Sequence, residues 1–370
     1  MGVSNVKWVR LGDYIEQCDK RNSASINYPV IGINRDKTFM PTVANLDGVD
    51  IAKYKIVTKG MFVFSGMQTG RDICIRIGLY DNEQPALVSP AYTTFVINDD
   101  KKVLPEYFFM YFNRAESDRY GWFISDSSVR ANLDWPRFLD IEFPLPSPDE
   151  QQKVVNVWRA FREIKEQNEA KAAPLMQVCQ SYIQELKHKY SMQEIGPYIE
   201  ECDERNVDLS VQLSQGIANT KVFQAPKQVA LNSKSDKIVR TGQFGYNRAT
   251  TRNGEKISIA YRTGADCTVS SAYGVFKITN EKIIEPHFLW MWVSRPEFDR
   301  YARYMSKGSA HEFFEFDEMC RVKIPLPPID VQRAIVNVYK CANEAKRIAE
   351  EAGRLSREVC PALLQHVIHS

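Results

Sequence analysis

The side chains best suited to chemistry stand in one run, Tyr246-Asn247-Arg248-Ala249-Thr250-Thr251-Arg252-Asn253-Gly254-Glu255-Lys256. Arginine can pair bidentately with guanine and asparagine with adenine, while threonine reaches a phosphate or a thymine methyl. The run leaves a strand-like segment that follows Gly242, so it should form a loop at a strand end. A counterpart, Ser65-Gly66-Met67-Gln68-Thr69-Gly70-Arg71-Asp72, leaves 61–64 in the same way after Gly60. The candidate contacts with nucleic acid are therefore Asn247, Arg248, Thr250, Thr251, Arg252, Asn253 and Lys256 in one loop, and Gln68, Thr69 and Arg71 in the other. Two serine-rich stretches add Ser128 with Arg130, and Ser309 with His311. The alternative for each is an ordinary polar hairpin or a solvated loop.

Catalytic chemistry has no comparable foothold. Neither G-x-G-x-x-G nor G-x-x-x-x-G-K-[ST] occurs, and there is no G-x-S-x-G or H-E-x-x-H. Asn-Pro-Pro-[Tyr/Phe], with which amino-methyltransferases grip a flipped base, is missing. One nuclease-like pattern appears, Pro148-Asp149 followed by Glu163-Ile164-Lys165. On a helix those carboxylates would stand about 21 Å apart, too far to share an ion. The eight cysteines form no C-x-x-C pair. They read as small buried residues in a reducing cytosol. No metal and no cofactor is expected.

The elements that must position the loops are written twice. Asp149 and Asp330 are 181 residues apart, as are Gln151 and Gln332, and Val155-Asn156-Val157 returns as Val336-Asn337-Val338. Phe143-Pro144-Leu145-Pro146 leads into the first copy and Ile324-Pro325-Leu326-Pro327 into the second. Each copy reads as a helix of about 40 residues, roughly 60 Å long, with Asp149 or Asp330 as its cap. Val154, Phe161, Asn168, Leu175 and Tyr182, with Trp158, Lys165, Ala172, Cys179 and Leu186, form a heptad seam. The echo is Ile335, Ala342, Ala349, Ser356 and Leu363, with Tyr339, Lys346, Gly353, Cys360 and Val367. Pro174 should bend the first helix and leave the seam intact. Val157, Ile164 and Val178 are apolar positions outside the seam, suited to docking a partner or to packing on the chain's own domains.

Upstream of each helix the order is the same. An entrance segment, 11–22 or 195–206, reads as a short helix or turn. Short strands follow, then aromatic helices opened by Pro105 and Pro286, whose rings read as core. The fold class is α+β: two repeated α/β domains, each followed by a long helix, the helices forming a coiled-coil spacer and the whole a pseudo-two-fold repeat. The domain boundaries fall at 1–147, 148–190, 191–328 and 329–370.

The 370 residues, 44% apolar, carry a net charge of only +2. Local windows are more basic: 221–262 holds nine cations against two acids, and 35–76 holds seven against four. Basic runs at matched places favour a shared polyanion such as a phosphate backbone, against the alternative of a solvated face. Residues 1–15 lack an apolar segment and no run approaches a membrane span, so a cytoplasmic protein with no membrane role is expected.

FPLPSPDEQQKVV and IPLPPIDVQRAIV at matched positions, each followed by a long helix, resemble the specificity subunit of type I restriction–modification systems. The stretch G-x-F-x-Y-N-R-A-T-T-R-N-G at 242–254 looks like the corresponding segment of some members, and Phe64-Ser65-Gly66-Met67 departs from it. The resemblance implies a non-catalytic reader of double-stranded DNA. Each domain would be a target-recognition domain reading one half of a bipartite, asymmetric site, and the two long helices would pack antiparallel and fix the spacing. Two methyltransferase (modification) subunits would bring the S-adenosylmethionine chemistry of DNA methylation. A motor/endonuclease (restriction) subunit would join for cleavage. The competing class is a paired-domain interaction scaffold without DNA.

Overall fold

A computed structural model describes residues 6–369 apart from 68, 127, 129–130, 227–232, 251–255 and 309–311, with Gly70 and Arg71 described by backbone alone. The chain divides into two units, Met1–Asn168 with Ile348–Ser370, and Glu169–Arg347. Each unit holds one globular body, one half of the first long helix and one half of the second.

In the first unit a four-stranded antiparallel sheet runs in the order Ile15–Cys18, Thr93–Ile97, Phe62–Ser65, Arg76–Leu79. In the second the order is Ile199–Glu201, Tyr273–Ile278, Phe244–Asn247, Ile259–Tyr261. The candidate loops are thus the two hairpin connections between the third and fourth strands. Behind each sheet lies an aromatic core. Phe62 stacks on Phe95 with centroids 4.9 Å apart, and Phe244 on Phe276 at the same 4.9 Å. The aromatic helices, Pro105–Phe112 and Pro286–Val293, are buried against these sheets, as their spacing predicts.

The halves differ outside this frame. The first has a further sheet in the order Phe39–Pro41, Val30–Ile33, Ala86–Val88, Lys55–Val57. The second has two separate pairs, Lys237–Val239 with Cys267–Val269 and Gly216–Ile217 with Phe223–Gln224. The entrance segments open with the expected turn, and each then continues as a strand. Leu11–Asp13 is a single 3-10 turn, and Ile15–Cys18 then joins the sheet edge because buried Ile15 pairs with Ile97.

The long helices are Pro148–Lys189 and Ile329–His369. The first is opened by Ser147 rather than Asp149. Glu150 N donates to the Ser147 hydroxyl (3.4 Å), and the Glu150 carboxylate accepts from Ser147 N (3.1 Å) and Oγ (3.0 Å), a capping box. Asp330 lies inside the first turn of the second helix, where it complements the helix dipole without capping. The helix runs on through Pro174, and the second carries a proline of its own, Pro361, which the repeat does not match.

Within the first unit Val154 and Val155, near the start of one helix, share a core with Cys360, Leu364 and Ile368, near the end of the other. Within the second, Ile335 and Val336 do the same with Cys179, Ile183 and Leu186. Start beside end makes the pairing antiparallel in each unit. Lys165, which breaks the seam, lies where the other helix has Gly353: a Cβ there would stand 3.7 Å from the Lys165 stem.

Gln151 and Gln332 are fully buried and identically used. Gln151 accepts from Leu104 N (2.9 Å) and donates to Lys102 O (2.8 Å) and Pro146 O (2.9 Å). Gln332 accepts from Glu285 N (3.0 Å) and donates to Ile283 O (2.8 Å) and Pro327 O (2.9 Å). One side chain satisfies the entry to the aromatic helix and the P-x-P turn together, which is why a glutamine recurs three residues into each long helix.

Candidate nucleic-acid interface

In the second unit the loop after Phe244–Asn247 is laced to a stretch about sixty residues later. Arg248 O accepts from Phe314 N (2.8 Å) and Thr250 N donates to Glu312 O (3.0 Å). The Thr250 hydroxyl reaches Ser306 Oγ (3.0 Å) and Glu312 O (3.2 Å). Lys307 and Phe313 exchange both backbone bonds. The described parts of the two stretches singled out in the sequence, Arg248 and Thr250 in one and Ser306 and Lys307 in the other, are therefore rooted on one rim.

The first unit repeats the convergence with other parts. Ser65 ends the strand, and Gly66 follows because the Leu133 carbonyl passes where a side chain would be, 1.7 Å from an ideal Cβ. Leu133 N donates to Gly66 O (2.9 Å). Thr69–Asp72 forms one helical turn. Asp126 gathers the serine-rich stretch, accepting from Ser128 N (3.0 Å), Ser128 Oγ (2.5 Å) and Asn132 N (2.9 Å). These bonds, the Ser128 hydroxyl first, hold the Asp126 carboxyl below the usual carboxylate range.

The candidate contacts fare unequally. Thr69 is buried and donates to Gly66 O (3.0 Å), and Thr250 is buried with both partners internal, so these two hydroxyls shape the loops and do not face a ligand. Asn247 is half-buried, and its Oδ1 accepts from Ala249 N (3.1 Å), a local turn. Arg248 Nε donates to Ala272 O (3.0 Å) and Nη1 meets Glu315 (3.2 Å), with the side chain 32% exposed. Ser128 and Lys256 are exposed, and Ser128 is already bonded to Asp126. Arg71 lies in the short helix. Gln68, Arg130, Thr251, Arg252, Asn253, Ser309 and His311 lie outside the described residues.

The basic windows dissolve in three dimensions. Lys221 is buried against Asp299 (2.7 Å), Lys237 against Asp203 (2.9 Å), Arg240 sits between Glu204 and Asp266, and Arg262 is buried on Gln215 and Ala265 O. In the first unit Lys37 is buried against Asp118 (2.7 Å), Lys55 reaches Asp19 (3.4 Å), and Lys59 and Arg76 pair with Glu83 and Asp72. Most of the acids come from outside the windows, so a linear count misses them.

Two of these pairs hold the candidate loops in place, and their acidic members were not singled out in the sequence. Lys221 Nζ also donates to Val293 O (2.9 Å), and Asp299 also accepts from Ile257 N (3.2 Å), just past the candidate loop. Lys37 likewise reaches Phe112 O, and Asp118 accepts from Ile75 N (2.8 Å). Burial pushes both lysines below the usual lysine range, against the pull of their aspartates. Each pair pins the returning strand of a candidate loop. Identical residues at repeat-matched positions, Asp118 with Asp299 and Lys37 with Lys221, were the available signal.

No family model matches the chain. A curated protein of Methanocaldococcus jannaschii, described as a type I restriction enzyme MjaX specificity subunit, is 19% identical over 368 residues, covering 88% of this chain and 82% of the relative. The crystal structure of the type I restriction–modification S subunit from M. genitalium superposes with a TM-score of 0.64 at 12% identity, covering 100% of this chain and 97% of that one. Over most of its length the chain is thus similar to a specificity subunit of a type I restriction–modification system, and it shares the fold of a solved S subunit.

Proposed function

We propose that each unit reads one half of a bipartite, asymmetric duplex site, and that the long helices set the spacing between the halves. The reading is non-catalytic, with methyltransferase subunits supplying the methyl transfer and motor/endonuclease subunits the cleavage. The observation that carries it is the laced rim. In both units the hairpin loop and the serine-rich stretch converge on one edge of a shared frame, while their residues differ. A common frame with divergent loops is what reading two different half-sites requires. Base contacts fall to Asn247, Arg248 and Lys256 among the described residues of the second unit, and to Arg71 in the first.

Because most cations are paired internally, the chain alone should hold DNA weakly and depend on its partners to clamp phosphate. Exposed Ile164 and Val178 on the first helix offer apolar surface for such a partner. Band shifts against a randomised duplex library, with and without methyltransferase subunits, test the proposal. A selected bipartite motif is expected in the complex. Absence of sequence selection in both conditions would return the chain to the class of interaction scaffolds.

A further inference from the structure

We infer that a cavity in the second unit, floored by Trp292 and rimmed by cations, binds a small organic acid with an apolar body and one carboxylate. The site goes beyond the DNA reading proposed above and does not depend on it. The cavity holds about 450 Å³, within the range of small-molecule sites. It is lined by the end of the first long helix, the helices Pro286–Val293 and Pro296–Met305, and the strand pair Met192–Glu194 with Lys323–Pro325.

Trp292 is 7% exposed, and its indole N–H is buried without a hydrogen-bond partner. A buried indole N–H ordinarily finds an acceptor. The groups packed on the ring cannot supply one. The Arg295 guanidinium lies 5.0 Å and the Lys187 ammonium 5.7 Å from the ring centroid, over its face, and both are donors. Of the two acids in the lining, Glu297 is taken by Arg295, with Lys187 at 3.9 Å, and Glu194 pairs with Lys323 (3.7 Å). An acceptor brought by a ligand would complete the indole.

The charge identifies that acceptor. Lys187, Arg295, Arg321 and Lys323 stand against Glu194 and Glu297. Arg321 also meets Glu318 (3.3 Å), which Lys307 shares (2.6 Å), so five cations face three acids. The excess favours an anion. Phe298 and Ile324 are buried in the floor beside Trp292, which suits an anion with an apolar body.

The repeat separates this rim from the frame. The arginine–aromatic stack is shared, since 181 residues earlier Arg114 lies 4.8 Å from the Tyr111 centroid. The other cations are not shared. At the same offset the first unit has Ile368 for Lys187, Asp140 for Arg321 and Glu142 for Lys323. The frame therefore folds with an apolar residue and two acids at these places, and the positive charge serves something else.

The test uses the full chain labelled with 5-fluorotryptophan, which gives one fluorine signal for each of six tryptophans. The signal lost in Trp292→Phe identifies Trp292. Added 3-phenylpropionate should move that signal saturably, and its neutral amide should bind about tenfold more weakly. Lys187→Ile with Lys323→Glu, which installs the first unit's residues, should weaken the acid about tenfold and leave the amide unchanged, with the other five signals in place. Equal affinity for acid and amide, or an acid affinity unchanged in the double variant, would overturn the inference. So would the lack of any saturable shift. A Trp292 signal moved by methyltransferase subunits alone, and then blind to the acid, would make the cavity a protein interface and overturn it as well.

Discussion

The first and second units share a buried frame and differ in what they hang on it. Gln151 and Gln332 make the same three hydrogen bonds, and Lys37–Asp118 and Lys221–Asp299 pin the same strand. At the rim the likeness stops. The first unit closes its loop with a helical turn and an Asp126-centred cluster; the second zips its loop to Lys307–Phe313 and anchors Arg248 on Glu315. The difference teaches where change is tolerated: buried polar groups with several backbone partners hold a position, and exposed loops vary.

Removing one member of a buried ion pair strikes this equivalence hardest. Asp299→Ala should cost about 3–5 kcal/mol in urea unfolding, since Lys221 is left charged in a site where both partners are only 7% exposed. Asp118→Ala should cost less, because Asp118 is 18% exposed and water can replace it. Equal losses would break the idea that burial sets the difference. Gln332→Leu and Gln151→Leu come next. Each strands a buried amide N–H and two carbonyls, and each should destabilise by about 2–3 kcal/mol. A twofold gap between them would mean that the frames are less alike than their bonds.

Arg248→Ala sharpens the contrast at the rim. It should weaken recognition of one half-site by about 1–2 kcal/mol and leave the other unchanged, measured with duplexes altered in each half. A uniform loss would place Arg248 on phosphate. The smallest effect is acidic. Hydrogen bonds from Arg21 hold Asp19 below the usual carboxylate range, and those from Lys237 and Arg205 do so for Asp203. With the folded pKa lower than the unfolded value of about 3.9, the stabilisation is present above that pH and is lost as pH falls through the folded pKa. Both carboxylates are largely exposed, so Asp19→Asn and Asp203→Asn should flatten the acid limb only slightly, and alike.

Much of this was legible in the sequence. The repeat offset located both long helices to within a residue, and proline and aromatic spacing located Pro105–Phe112 and Pro286–Val293. Asp149 failed as a cap because Ser147, two residues earlier, forms a reciprocal box with Glu150. The loops were legible as places but not as contacts. Thr69 and Thr250 carry the right groups, yet a hydroxyl next to an unpaired carbonyl satisfies the backbone first.

The sequence by itself determined the doubled plan, because periodicity and matched motifs are properties of order along the chain. It also determined the absence of the nucleotide-loop and hydrolase motifs from that order. Only the tertiary structure decided which charges remain for a partner. Ion pairing joins residues far apart in the chain: Asp118 takes Lys37, Asp299 takes Lys221 and Glu315 takes Arg248. A basic window is therefore a statement about composition. The surface it leaves depends on which acids the fold brings to it.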